Sequence, residues 1–278
     1  MSTNPLRRPV RRVQRGGEAA VHRREFAWLA RGGLVARGVV YGVVGILALK
    51  LALGSGGKAT SQQGALKTVA HQPFGKALLI ALTVGLAGYA VWRLVRAAIG
   101  HGTQEKDSGL DRVAAMASGI AYAGLCFTAV EILIGAGSGR SSNPRKAAGG
   151  VLAWTGGTVI VAVAGAILIG VALYQGYKGV GRKFLENSNT AKMSPQLKRG
   201  FTAIGVFGHL ARMVVFGLIG FGLLKAAIDY NPHKVIGLDG ALNKLAHNSY
   251  GPFLLGLVAV GLIGFALYSI ADARYRKV

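Results

Sequence analysis

Acidic residues are scarce in this chain. Ten Asp and Glu stand against 33 Lys and Arg in 278 residues, a formal net charge of +23. So few carboxylates leave no paired-carboxylate site, and only Glu131 falls within a long apolar run. A proton-driven pump ordinarily uses more intramembrane acid than that. Cys126 is the one cysteine, which excludes an internal disulfide and a thiolate metal cluster. No nucleophile–base pair and no strand-led phosphate loop is present, so the composition argues against an enzyme, and no cofactor or metal is expected. A strong positive charge on a soluble chain would suggest nucleic acid, but no aromatic residue interleaves the arginines of the N-terminal segment. Nucleic acid is therefore not an expected partner.

What the chain has in quantity is apolar sequence. It is 51% hydrophobic with 43 glycines, and its mean hydropathy is +0.42. The apolar residues come in six blocks, approximately 34–53, 77–99, 113–136, 150–174, 201–228 and 253–271. Each holds about 20 residues, enough to cross a hydrocarbon core of about 30 Å as helix. Continuous runs without period-2 alternation favour helices over a barrel. Lys and Arg concentrate before the first block, between the second and third, between the fourth and fifth, and after the last. The positive-inside rule then places both termini in the cytoplasm of a multi-pass inner (plasma) membrane protein. The N-terminal segment is too basic and its apolar run too long for a cleavable signal peptide.

The sequence repeats. V-A-R-G-V-V-Y-G-V-V-G-I-L-A-L-K from Val35 returns as L-A-R-M-V-V-F-G-L-I-G-F-G-L-L-K from Leu210, with a weaker middle copy from Gly119 to Glu131. Each copy continues through a loop to a second run ending in Trp92, Tyr174 or Tyr268. Gly64-Ala65-Leu66 and Ala70-His71 recur as Gly240-Ala241-Leu242 and Ala246-His247, so these loops are patterned and read as short amphipathic helices at the outer interface. The domain organisation is a basic tail over 1–25, then repeats over 26–100, 110–180 and 197–276. Two spans per repeat is an even number, so all three copies enter the membrane in parallel. The expected fold is an all-α polytopic membrane protein of six helices, with three hairpins able to close around a pseudo-threefold axis.

The stretches F-A-W-L-A-R from Phe26, A-R-G-V-V-Y from Ala36, Q-P-F-G-K-A-L-L from Gln72, Y-K-G-V-G-R-K-F-L from Tyr177, G-L-D-G-A-L from Gly237 and A-R-Y-R from Ala273 carry a family resemblance. They resemble the bacterial membrane family known as domain of unknown function 1206, over about residues 26–276. The resemblance implies a six-span integral membrane protein and brings no chemistry with it.

Ionisable residues within spans are costly and become candidates for function. Stacking the copies aligns Arg37, Ser118 and Arg212 near the cytoplasmic end of the odd spans, and Lys50, Glu131 and Lys225 near the outer end. The arginines could snorkel to the interface, or bind lipid phosphate or another anion in a bidentate manner. The second set could form an outer Lys–Glu–Lys latch, or each member could reach water on its own. His71 and His247 occupy matched loop positions but lack a third partner in the middle copy, so they read as repeat surface and not as metal ligands. The glycine pairs Gly42/Gly45, Gly85/Gly88, Gly217/Gly220 and Gly261/Gly264 read as close helix packing. Two functions fit: a small channel or transporter-like protein for an anion or lipid headgroup, or a non-transporting scaffold or accessory subunit of a membrane complex. The expected partners are the bilayer itself, anionic lipid under the basic tail, and another membrane protein.

Overall fold

A computed structural model describes residues 24–99, 109–135 and 144–276. The basic tail lies outside these residues up to position 23. Among the described residues, six helices are long and apolar enough to cross a membrane: α1 (Arg24–Ala52), α3 (Gly75–Ile99), α4 (Gly109–Leu133), α6 (Gly157–Val180), α7 (Pro195–Ile228) and α9 (Gly251–Tyr275). Three nine-residue helices link the spans within each repeat: α2 (Gln62–Ala70), α5 (Pro144–Leu152) and α8 (Leu238–Ala246). They define a loop face of the molecule. The opposite face carries Arg93, Arg96, Lys178, Arg182, Lys198, Arg199 and Arg276 and is called the basic face.

Several helices begin before their apolar blocks, α1 at Arg24 and α4 at Gly109 among them, and two of the differing starts have a visible local cause. The fourth span begins at Gly157 and not at 150, because 150–152 complete α5 before a sharp corner. The fifth begins at Pro195, where Ser194 caps it by accepting from Leu197 N (3.3 Å) and proline sits in the first turn, where its missing N–H costs nothing.

The six spans pack as a curved row in the order α4, α3, α1, α9, α7, α6. The tightest interfaces join the second helix of one repeat to the first of the next: α3 with α4, α6 with α7, and α9 with α1. That cyclic rule is the pseudo-threefold arrangement. Spans α1 and α9 lie in the middle of the row, with 50% and 56% of their apolar windows buried, against 22% in each of α4 and α6 at its ends. Burial follows helical periodicity. On α6 it falls on Val161, Gly165, Ala172, Gly176 and Gly179, a single stripe turned to α7.

The short helices sink into the mouth of the row and do not lie flat on it. Ala65, Leu66, Ala241 and Leu242 are fully buried. His71 and His247 close α2 and α8 in the same way: Nδ1–H donates to the carbonyl of Lys67 (2.7 Å) and of Asn243 (2.9 Å). This satisfies carbonyls that a helix end leaves free.

Each short helix turns back into the membrane at a glycine. A Cβ on Gly75, Gly157 or Gly251 would strike the carbonyl of Ala70, Val151 or Ala246. The obstruction is backbone in all three repeats, so no side-chain movement relieves it. Gly251→Ala is expected to cost about 3 kcal/mol, read as a lowered unfolding temperature in detergent. An unchanged temperature would show that the corner can open without loss.

The glycine pairs of the spans serve packing as expected. A Cβ on Gly45 would lie 3.1 Å from Ala259 O, and one on Gly220 would lie 3.0 Å from Gly165 O. Helix backbones approach this closely only where both contact positions are small.

Candidate functional site

Arg37 does not snorkel. It is 5% exposed and turned into the row, where Nε donates to Ser269 Oγ (3.1 Å) and Nη1 donates to Tyr89 Oη (2.8 Å). Ser269 Oγ donates onward to the Phe265 carbonyl (2.8 Å). Arg212 has the equivalent contact one repeat round. With its amide nitrogen facing His209 Nδ1 (2.8 Å), Gln175 offers its oxygen to both terminal nitrogens of Arg212 at 3.1 Å. Gln175 and Ser269 each follow the aromatic that ends a second span, Tyr174 and Tyr268, so the two contacts are related by the repeat. At the third interface the polarity is exchanged. Arg93 follows Trp92, while the first-span position holds Ser118. Each inter-repeat interface therefore carries one arginine: Arg37, Arg93 or Arg212.

These cations converge. The Arg37 and Arg212 guanidinium carbons lie 4.8 and 4.4 Å from the centroid of the same ring, Phe265. Arg93 Nε and Nη2 donate to Tyr89 Oη at 3.0 and 2.9 Å, so one phenol oxygen accepts from two arginines. Tyr41, Tyr122 and Phe216, four residues after Arg37, Ser118 and Arg212, add aromatic faces. Tyr122 on α4 packs edge-on against Tyr89, whose phenol oxygen accepts from Arg37 and Arg93, so α4 reaches the group through this ring.

Among the described residues, no carboxylate pairs with Arg37 or Arg212. The nearby Asp272, fully buried, accepts instead from Ser188 Oγ (2.6 Å) and Arg276 Nη1 (2.9 Å). Arg212 Nε is buried with no hydrogen-bond partner. In a low-dielectric interior, guanidinium groups held by neutral oxygens and rings repel one another and keep a net positive potential.

A cavity of about 580 Å³ leads from the loop face to this group, with Tyr41, Arg212 and Phe216 in its wall. The first turns of all three short helices border it: Ser61 and Gln62 of the α2 start, Pro144 and Arg145 of α5, Gly237 and Asp239 of the α8 start. Gln62 Nε2 donates to Tyr41 Oη (2.9 Å), which ties the first of them to the floor. Helix N-termini carry partial positive charge, and three facing one cavity favour an anion, with Asp239 as the opposing charge at the mouth. Toward the basic face the interior is filled by Phe184, Phe201, His209 and Tyr268, whose ring centroids stand 5.0–6.3 Å apart.

The other candidate set stays apart. Lys50 and Lys225 are exposed, Glu131 is half-buried, and no ion pair joins the three. The residues that sequence reasoning missed are Tyr89, Arg93, Gln175 and Ser269 on the second spans. They were to be found one to three positions from the aromatic ends that had already been aligned.

Comparison with known proteins gives three findings. The model of the family described as Domain of Unknown Function 1206 matches the chain three times, at residues 32–100, 113–182 and 207–276. A protein of Bacillus subtilis (strain 168) described as uncharacterized protein YxxB is 33% identical over 258 residues, covering 90% of this chain and 92% of its own. No solved structure matches.

Proposed function

The chain belongs to the Domain of Unknown Function 1206 family, and we propose that it acts as a transporter-like membrane protein for an anion or an anionic lipid headgroup. One observation supports this most: a cavity from the loop face ends on Arg212, a cation without a carboxylate partner among the described residues. A guanidinium whose donors are incompletely used suits a phosphate or carboxylate better than a cation or a neutral solute. The aromatic filling beneath it argues for a gated carrier over an open channel. We assign no catalysis, metal or cofactor to the site. The orientation that fits the charge pattern puts the basic face in the cytoplasm, the termini on that side and the cavity on the outer side of the inner (plasma) membrane.

The test is binding followed by flux. Inorganic phosphate at millimolar concentration is expected to raise the unfolding temperature of the purified protein by several degrees. Arg212→Gln is expected to lose that shift by at least tenfold in apparent affinity, and proteoliposomes of the wild-type chain to release trapped phosphate faster than those of the variant. The sealed basic face favours a rival reading, a non-transporting scaffold. That reading gains if no anion shifts stability and no flux is seen.

A further inference from the structure

Among the described residues, the row of helices is open at one place. Around a complete pseudo-threefold ring six seams would be packed, three between repeats and three within them. The three between repeats are packed, and so are those within the first and third repeats, α1 with α3 and α7 with α9. Among the described residues, the seam within the middle repeat, between α4 and α6, has no packed interface.

The repeats themselves carry the reason. In the first repeat, a Cβ on Gly85 of α3 would lie 2.9 Å from both Gly32 O and Ala36 Cβ of α1. In the third, a Cβ on Gly261 of α9 would lie 3.0 Å from Phe207 O and 2.5 Å from Ala211 Cβ of α7. Both glycines stand seven residues before the aromatic that ends the span, and both let backbone meet backbone. Seven residues before Tyr174 the middle repeat has Ile167, and it is 52% exposed. A β-branched side chain at the aligned position does not allow the backbone-to-backbone contact that glycine gives the other two repeats.

The opening is apolar outside and polar within. Ile120 and Phe127 of α4, and Ile160 and Ile167 of α6, are more than half exposed. Yet each of these helices also reaches the arginine group, α4 through Tyr122 and α6 through Gln175. Arg37 lies seven residues into the apolar stretch of α1 that begins at Ala30, about 10 Å of helix from the basic face. A ligand matching this shape has hydrocarbon that can lie against α4 and α6, and an anionic head that can sink one to two helical turns.

We propose that the ligand is a phospholipid of net negative charge, which enters sideways between α4 and α6 from the leaflet at the basic face and places its phosphate among Arg37, Arg212 and Tyr122. This rests on the anion-binding reading above and adds the source of the anion. Uncompensated guanidinium charge selects against zwitterionic headgroups, and the open seam gives acyl chains a place that a soluble anion does not need.

The experiment uses the full chain in mixed micelles or nanodiscs of phosphatidylcholine with a minor fraction of phosphatidylglycerol, and counts retained lipids by native mass spectrometry. In parallel, inorganic phosphate is tested as a soluble probe by thermal shift. The wild-type protein is expected to retain one phosphatidylglycerol with at least tenfold preference over phosphatidylcholine. Arg212→Gln should lose both responses. Ile167→Gly, an exposed position where a smaller side chain clashes with nothing, should let the seam close. It should cut lipid retention at least tenfold while leaving the phosphate shift in place. Equal retention of the two lipids, or full retention in Ile167→Gly, overturns the lipid proposal. The anion reading survives that result if phosphate still binds through Arg212, and both fall if neither probe binds.

Discussion

Replacing Asp272 with alanine is expected to cost about 3–5 kcal/mol of stability, the usual loss when one partner of a buried ion pair is removed. Asp272 is fully buried near the end of α9 and accepts from Arg276 (2.9 Å) and Ser188 (2.6 Å). Without it, the Arg276 guanidinium, whose side chain is 10% exposed, stays in place over the Trp92 ring with no counter-charge. The connection between α6 and α7 also loses an anchor. That segment is tied to the end of α9 by an antiparallel bridge between Ser188 and Arg276 and by Asn189 N donating to Tyr275 O (2.7 Å). Ser188→Ala removes one bond to a charged group and is expected to cost about 1.5–3 kcal/mol. Chemical unfolding of the detergent-solubilised protein orders the two variants, and a larger loss for Ser188→Ala than for Asp272→Ala would refute this account. Proteolysis within 181–194 should rise in both.

That acid illustrates what a linear reading can and cannot find. Span number and the threefold repetition of a two-span unit follow from hydropathy and internal repetition, because a bilayer demands continuous apolar length and even-span repeats can only insert in parallel, but the order in which the hairpins pack was open. Arg37 and Arg212 stood out because ionisable residues in a span are rare. Their partners did not, since Ser269 and Gln175 belong to the preceding repeat in the cycle, and pairing across repeats leaves no local spacing to read. Asp272 was passed over for a related reason. It falls one residue beyond the apolar block at 253–271, where hydropathy stops but helix α9 does not. The Lys50–Glu131–Lys225 latch failed as a cluster because aligned positions share depth without sharing direction. Thirteen residues beyond the arginines, or about 20 Å of helix, the two lysines point outward. The open seam was not legible: α6 also carries two glycines three residues apart, Gly176 and Gly179, but both turn to α7, and spacing alone does not say which neighbour a glycine meets.

Arg37→Met is expected to stabilise the protein and to weaken anion binding. Arg37 is 5% exposed, its hydrogen bonds go to the neutral oxygens of Ser269 and Tyr89, and its remaining contacts are the rings of Tyr89 and Phe265. A cation within a membrane span costs about 2.5–3.5 kcal/mol on insertion scales. Rings and neutral acceptors return part of that, cation–π contacts contributing about 2 kcal/mol when desolvated. Methionine fills similar space, leaves Tyr89 Oη with Arg93 and leaves Ser269 Oγ donating to Phe265 O, so no polar group is orphaned. The expected gain is about 1–3 kcal/mol, in line with buried ionic groups replaced by apolar ones. Phosphate affinity should fall at least tenfold, because one of the converging cations is gone. The two readouts move in opposite directions only if the charge is kept for a ligand. A structural arginine would give the reverse pattern, lower stability with binding unchanged, and that result would remove Arg37 from the site. Residues held at a cost to folding are the ones selection keeps for function, and at this depth in the membrane the cost of Arg37 can be measured directly against the affinity it supports.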